Sequence, residues 1–253
     1  MACIARRNTL LEKVNHLFIK ILMPYSKGER TVMSASPNNR DNRGSRGAMK
    51  RLADSAYHKF VDDNGRHISI KKWISPIKPD YKEFWDINFL SRIPLSNAQK
   101  KTMSEFWPKG GPHWDGIAIS DDGEILLIEA KAYIGEFSHT KCHATSPSSL
   151  STIRQSLTET ASFLQTKTTP QWLCGYYQTA NRLAHLYKLN SLPGVSARLV
   201  YIFFSNTDMS KTGETPDLWR KAFQRAEIKS LGLPENHKLS DKISILFIDA
   251  SKL

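Results

Sequence analysis

Two acidic residues and a lysine lie in a predicted β-hairpin over residues 113–132, HWDGIAISDDGEILLIEAKA. The loop Asp121-Asp122-Gly123 suits a three-residue hairpin turn, with its glycine at the position that needs positive φ. Counting back from this turn places Asp115 opposite Glu129, and strand alternation puts Lys131 on the same face. Two facing carboxylates repel each other, by about 3 kcal/mol at about 5 Å and an effective dielectric of about 20. A divalent cation would offset that repulsion, so the pattern favours metal-assisted phosphodiester hydrolysis.

The two faces of this hairpin differ in character. One face carries larger apolar residues near the turn and the three charged residues at the far end. The other face is small and apolar, and it comprises Gly116, Ala118, Leu126, Ile128, Ala130 and Ala132. We expect a helix over residues 149–166 to cover this small apolar face. The alternative without a catalytic role is a solvated hairpin whose charges keep the chain in solution.

Asp115, followed after the turn by Glu129-Ala130-Lys131, resembles the signature of the PD-(D/E)xK nucleases, the restriction-endonuclease-like superfamily. The resemblance implies that Asp115, Glu129 and the Ala130 carbonyl hold Mg²⁺, for which Mn²⁺ can substitute, and that Lys131 orients or activates the attacking water. One departure is Trp114, which precedes Asp115 where the family has proline. The runs WPKGGPHWDGIAI and LLIEAKA are also similar to uncharacterised bacterial members of the superfamily, over roughly residues 96 to 250.

Other polar residues are accessory candidates because of the same resemblance. Many relatives place a glutamate from the helix before the aspartate strand near the metal, and Glu105 is at that position. In several branches a Gln-bearing helix follows the motif, so Gln178 and Arg182, one turn apart on a predicted helix over residues 172–189, are candidates for binding a phosphate. An ordinary exposed helix face is the alternative for these residues. Lys109, in a Gly-rich connector, is a weaker candidate for nucleic-acid contact.

The net charge of +12 is unevenly distributed. Residues 1–51 contain eleven Lys and Arg against three acidic residues, so this segment carries most of the basic excess. A basic arm attracts a phosphate backbone without reading its sequence, which makes Arg43 and Arg46 weak candidates for nucleic-acid contact. A merely solubilising tail is the alternative.

Cysteine spacing and hydropathy bear on the compartment. Cys3, Cys142 and Cys174 lie far apart without a Cys-x-x-Cys pair, which argues against a disulfide framework and for the reducing cytoplasm. No apolar run reaches the length of a membrane span, so we expect no membrane partner. His139, Cys142 and His143 lie in one loop, but they lack an obvious fourth ligand, which argues against zinc.

The predicted order from residue 113 onward is strand, strand, helix, helix, strand, helix, strand, which indicates an α/β protein. The resemblance implies a restriction-endonuclease-like mixed β-sheet flanked by helices. Residues 49–64 are expected to be helical, and 67–73 are expected to form a strand at the sheet's edge. We predict a basic N-terminal arm over residues 1–48, with a helix over 6–23 and a flexible linker, followed by a nuclease-like domain over 49–253.

These expectations converge on a Mg²⁺-dependent nuclease that hydrolyses phosphodiester bonds of DNA, ahead of RNA. The alternative is a catalytically inactive nuclease-fold protein that binds nucleic acid or regulates a partner. A carboxylate-pair glycosidase is a further rival, but it gives Lys131 no role. The sequence leaves open a homodimer, the strandedness of the substrate and the mode of cleavage.

Overall fold

Helices and strands alternate along the computed structural model, which describes residues 42–84 and 86–253. The helices are α1 (Gly44–Asp54), α2 (Asn97–Phe106), α3 (Pro147–Phe163), α4 (Tyr177–Asn190) and α5 (Pro216–Gln224). The strands are β1 (Lys59–Val61), β2 (His67–Ser75), β3 (Gly116–Ser120), β4 (Ile125–Lys131), β5 (Thr140–Lys141), β6 (Cys174–Gly175), β7 (Ala197–Ser205) and β8 (Ile243–Asp249). Short 3-10 turns and one π-helical turn complete the connections. The predicted α/β class is confirmed.

Six strands form one mixed sheet in the order β1-β2-β3-β4-β7-β8. The pairs from β1 to β4 are antiparallel, whereas β4 pairs with β7 and β7 with β8 in parallel. Parallel neighbours need a crossover, and the long connection from β4 to β7 contains α3 and α4. The strands β5 and β6 form a separate two-stranded ribbon within that crossover.

The central hairpin has the predicted register. Ile117 pairs with Leu127, and Ile119 pairs with Ile125. The turn closes through a hydrogen bond from the Gly123 amide to the Ser120 carbonyl at 3.1 Å, and Gly123 adopts a φ of 84°. Because a left-handed φ favours glycine, this residue fixes the turn and hence the register of both strands.

The two faces of the sheet pack on different helices. Ile117 and Leu127 lie in a core that also contains Leu157 of α3 and Leu183 of α4. The small apolar face instead packs on α1, through Ala48, Met49 and Leu52. The prediction that the helix over residues 149–166 covers the small face is therefore wrong. Both faces are apolar, so the pattern alone did not decide which helix each face would bind.

Gly116 allows α1 to approach the sheet closely. A Cβ at this position would lie 2.9 Å from Met49 Cε and 3.3 Å from two side-chain atoms of Ile128. Both neighbours are almost fully buried. The missing side chain therefore makes room for the helix on this face of the hairpin.

Helices α2, α3 and α5 begin at polar caps. Ser96, predicted to cap α2, forms a reciprocal capping box with Gln99. The Ser146 and Thr215 side chains accept hydrogen bonds from backbone amides in the first turns of α3 and α5, and proline follows each of them at the first helical position. The predicted start of the helix at Thr215 and Pro216 is confirmed.

The region before the hairpin differs from the predictions. The helix α1 ends at Asp54 and is followed by β1, so the prediction that residues 49–64 are helical is wrong beyond the first turns. Strand β2 is not the edge of the sheet, because β1 pairs with it and takes the edge position. Helix α1 also begins inside the predicted linker, which therefore does not extend over 44–47. The predicted helix over 6–23 and most of the linker lie outside the described residues.

Two further predictions concern cysteines and membranes. Cys142 is a free thiol, whereas Cys174 is disulfide-bonded. A bonded cysteine weighs against the inference of a reducing compartment from the cysteine spacing. Among the described helices, none combines the length and the apolar character that a membrane crossing requires.

Candidate active site

The carboxyl end of β4 brings Glu129 and Lys131 to one face of the sheet. The two residues are separated by one position, so strand alternation points both side chains the same way. Glu129 is 1% exposed and Lys131 is 6% exposed. Asp115 lies just before β3, and the register from Gly116 opposite Ile128 continues to place it opposite Glu129. The sequence-predicted triad therefore converges.

Glu129 is held by two cations. Lys131 Nζ donates to Oε1 of Glu129, and Arg182 Nε donates to Oε2 at 2.7 Å. Burial opposes ionisation of Glu129, but Arg182 and Lys131 outweigh that effect and hold its pKa below the usual range. The pKa of Lys131 is raised. Burial alone would lower it, but the charges of Glu129 and Asp115 outweigh that effect. Lys131 is therefore an ammonium group at neutral pH.

Asp115 is positioned by the backbone of β4. Its Oδ2 accepts a hydrogen bond from the Ala130 amide at 2.8 Å. Because the N–H and C=O of one strand residue point towards the same neighbouring strand, the Ala130 carbonyl also faces the side on which Asp115 lies. Burial, followed by the charge of Glu129, raises the pKa of Asp115 to about 7. Two carboxylates thus lie near each other at the end of the hairpin, beside the backbone of Ala130.

Helix α4 completes the cluster from the other side. Gln178 Oε1 accepts a hydrogen bond from Lys131 Nζ at 3.0 Å. Arg182 Nη2 donates to the His113 carbonyl at 2.6 Å, and the guanidinium lies 4.7 Å from the centre of the Trp114 ring. Trp114 therefore supports the residue that holds Glu129.

Arg182 is buried beside the cluster. Its side chain is 4% exposed and donates to Glu129, to Asn181 and to the His113 carbonyl, so the alternative of a solvated helix face is wrong at this position. Its role as a phosphate ligand stays a prediction. Gln178 is half-buried, and it reaches the cluster as expected.

A third carboxylate lies near the end of β4. Glu136 Oε1 accepts a hydrogen bond from the Ala132 amide at 3.3 Å. Burial raises the pKa of Glu136, and Lys131 acts in the opposite direction. The residue follows the strand after a short loop, which is the only signal that the sequence offers for its position.

A cleft of about 830 Å³ opens beside Gln178 and Arg182. One wall is the connector from Pro108 to His113, which contains the candidate Lys109. The other wall is the loop that begins at His139, and the pairing of β5 with β6 fastens this loop to the segment before α4. Lys109 is exposed on the rim, so its position is compatible with contact to a bound anion.

Other sequence candidates lie elsewhere. Glu105 is exposed on α2 and pairs loosely with Lys101 at 3.8 Å, so the structure does not bring its carboxylate to the cluster. Arg43 pairs with Asp208 at 2.6 Å, and Arg46 pairs with Glu83 at 2.7 Å. Both arginines therefore fasten the start of α1 to the folded domain, rather than belonging to a free arm.

The donor set bears on which metal could bind. Within residues 42–84 and 86–253, no three His, Cys, Asp or Glu side chains are grouped closely enough to hold a metal ion by themselves. Asp115, Glu129 and the Ala130 carbonyl supply only hard oxygen atoms. Mg²⁺ binds through one or two carboxylates and retains several waters, so these donors fit it.

The comparisons with known proteins leave the site to be interpreted from its geometry. No family model matches the chain, and no match was found among the curated proteins or among the solved structures.

Proposed function

We propose that the protein is a metal-dependent nuclease that hydrolyses phosphodiester bonds, with DNA favoured over RNA. The observation that carries the proposal is the convergence of Asp115, Glu129 and Lys131, with Lys131 Nζ contacting both Glu129 and Gln178. The hairpin followed by two parallel strands, with helices on both faces, supports assignment to the restriction-endonuclease-like fold.

Asp115, Glu129 and the Ala130 carbonyl would hold Mg²⁺, or Mn²⁺ in its place. A bound ion of this kind supplies Lewis acidity and lowers the pKa of a coordinated water. Lys131 is charged, so it acts as a hydrogen-bond donor that orients the water and offsets negative charge in the transition state, rather than as a base. Gln178 fixes the lysine head group, and Arg182 fixes Glu129.

Cleavage assays test this proposal directly. Labelled DNA and RNA are incubated with the protein and Mg²⁺ or Mn²⁺, with EDTA as the metal-free arm. We expect cleavage that EDTA abolishes and that Lys131→Met lowers by about 10²–10³-fold, because one donor to the developing charge is lost. Lys72→Met, on an exposed position of β2, is the matched control and should leave the rate unchanged. An undiminished cleavage rate in EDTA, or in the Lys131→Met variant, would contradict the proposal.

A second function is favoured by one specific feature. Lys131 and Arg182 already pair with Glu129, so the negative charge of Glu129 is compensated within the protein. A site neutralised in this way would also suit an inactive nuclease-fold protein that binds nucleic acid. Calorimetric titration with Mn²⁺ separates the two functions, because metal binding without cleavage supports the inactive form.

A further inference from the structure

The cleft beside the candidate active site has an unusual set of side chains along its walls. Its lining contains no Asp or Glu. Besides Arg182, whose charge is paired with Glu129, the cationic and ring-bearing residues that line it are Lys109, His113, His139, Lys141, His143 and Tyr177. A lining with lysines and no carboxylates favours a positive potential, which attracts anions such as a nucleic-acid backbone.

The depth of the reactive groups constrains the form of that nucleic acid. Glu129 and Lys131 are 1% and 6% exposed and do not line the cleft, but each contacts a residue that does, since Lys131 bonds to Gln178 and Glu129 to Arg182. A phosphate that approaches Lys131 from the side of Gln178 must therefore enter the cleft. Duplex DNA is stiff over about 150 base pairs, whereas a single strand bends at every nucleotide and can enter a recess. A continuous duplex resting across the two walls would hold its phosphates outside.

The rings in the cleft provide a second, independent indication. Sequence-tolerant binding of single strands combines a positive groove with aromatic side chains on which unpaired bases stack. Tyr177 lies at the start of α4, and His139 and His143 lie on the opposite loop. In a duplex the faces of the bases are already stacked on one another, so such rings have nothing to contact.

We propose that this cleft binds single-stranded nucleic acid, with Lys109 and Lys141 contacting phosphates from opposite walls and the rings stacking on unpaired bases. The inference rests on the proposed function only in taking the adjacent cluster as the place of reaction. The cleft has a volume of about 830 Å³, which is within the range of sites that enclose small ligands. It can therefore hold a short segment of single-stranded nucleic acid.

Binding measurements in EDTA test the proposal without cleavage. Fluorescence anisotropy compares labelled oligothymidine and oligouridine of about 12 nucleotides with a duplex of the same length. We expect both single strands to bind more tightly than the duplex. The preference between the DNA strand and the RNA strand then identifies the natural sugar.

The contacts are tested by substitution. Lys109→Ala combined with Lys141→Ala should weaken single-strand binding about 25-fold at about 0.1 M salt. Each phosphate contact contributes about 0.7 to the slope of log K against log salt, so the loss of two contacts lowers log K by about 1.4 relative to about 1 M salt. Lys72→Ala combined with Lys101→Ala removes the same charge from exposed positions outside the cleft and is the matched control. Tyr177→Leu should weaken binding roughly five- to 150-fold, whereas Tyr177→Phe retains the ring and should not.

Two results would overturn the proposal. The first is a duplex that binds as tightly as either single strand, and the second is an equal loss of affinity in the two lysine pairs. These outcomes are separable from failure of the nuclease proposal. Single-strand binding without metal-dependent cleavage contradicts only the nuclease, whereas cleavage of duplex without a single-strand preference contradicts only this inference.

Discussion

Arg182 and Glu129, 53 residues apart in the chain, form a buried ion pair in which Arg182 Nε lies 2.7 Å from Glu129 Oε2. Their side chains are 4% and 1% exposed. Coulomb attraction is strong between buried groups, but both groups also lose their hydration, so the pair adds less to the stability of the fold than its short distance suggests. Removal of one partner is strongly destabilising, because the remaining charge stays buried and uncompensated.

Substitution of Arg182 should therefore destabilise the protein strongly. We expect Arg182→Ala to lower the free energy of unfolding by about 3–5 kcal/mol, measured by urea denaturation. Arg46→Ala breaks an exposed pair with Glu83 and should cost at most about 1 kcal/mol. Equal costs for the two substitutions would contradict the view that burial decides the difference.

His185 should make stability depend on pH. It is 2% exposed, and its Nδ1 donates to the Asn181 carbonyl at 2.9 Å. Burial, together with the charge of Arg182, lowers its pKa to about 3, although the bond to Asn181 acts in the opposite direction. In the unfolded chain, the His185 imidazole takes up a proton below about pH 6.5, whereas in the folded chain it stays neutral down to about pH 3. The contribution of neutral His185 to stability is therefore complete above about pH 6.5 and is lost as the pH falls towards 3.

The measurement is the free energy of unfolding against pH. His185→Asn should flatten the profile between about pH 6.5 and 4 by up to about 1.4 kcal/mol per pH unit, because one proton is no longer taken up on unfolding. His139→Asn is the control, since His139 is exposed. Parallel profiles for the wild type and His185→Asn would contradict the prediction.

Mg²⁺ should stabilise the folded chain through Asp115. Binding to the folded state alone adds about 2.7 kcal/mol at a hundredfold excess over Kd, which raises the unfolding temperature. Asp115→Asn keeps an acceptor for the Ala130 amide but removes the charge, so its unfolding temperature should respond less to Mg²⁺. Asp121→Asn, exposed in the hairpin turn, should respond like the wild type. An undiminished response in Asp115→Asn would place the metal elsewhere.

Close packing between α1 and the hairpin yields a further prediction. Gly116→Ala should cost about 1–3 kcal/mol, because the added Cβ would lie 2.9 Å from Met49 Cε. Met49→Ala removes that neighbour, so the two substitutions together should cost less than the sum of their separate effects. Urea denaturation of the four proteins measures this coupling, and simple additivity would show that the two side chains do not meet.

The hairpin and the triad were predictable because their signals are local. A glycine at the turn fixes the register, and alternation then fixes which side chains share a face. Asp115, Glu129 and Lys131 therefore converge as the pattern requires. The inward residues of α4, such as Ala180 and Leu183, follow for the same reason, since both are fully buried as the helical spacing predicts.

The remaining errors concern contacts between distant segments. Nothing in the spacing around Arg182 indicates that it pairs with Glu129 rather than facing water. Likewise, the apolar residues of α1 and α3 suit either face of the sheet, and only their relative placement assigns them. Glu105 shows the limit of a family resemblance, because its helix is present but its carboxylate points to Lys101.

The parallel pairing of β4 with β7 has a consequence for the order of folding. The hairpin of β3 and β4 closes over a few residues, whereas β7 can join β4 only after the whole crossover with α3 and α4 has been arranged. Closing such a long loop is entropically slow, so local pairing precedes it. Until α4 packs against β4, Glu129 is not paired with Arg182 and its carboxylate stays hydrated. The cluster of Asp115, Glu129, Lys131 and Arg182 should therefore form late, and a chain halted midway would have the hairpin without the complete cluster.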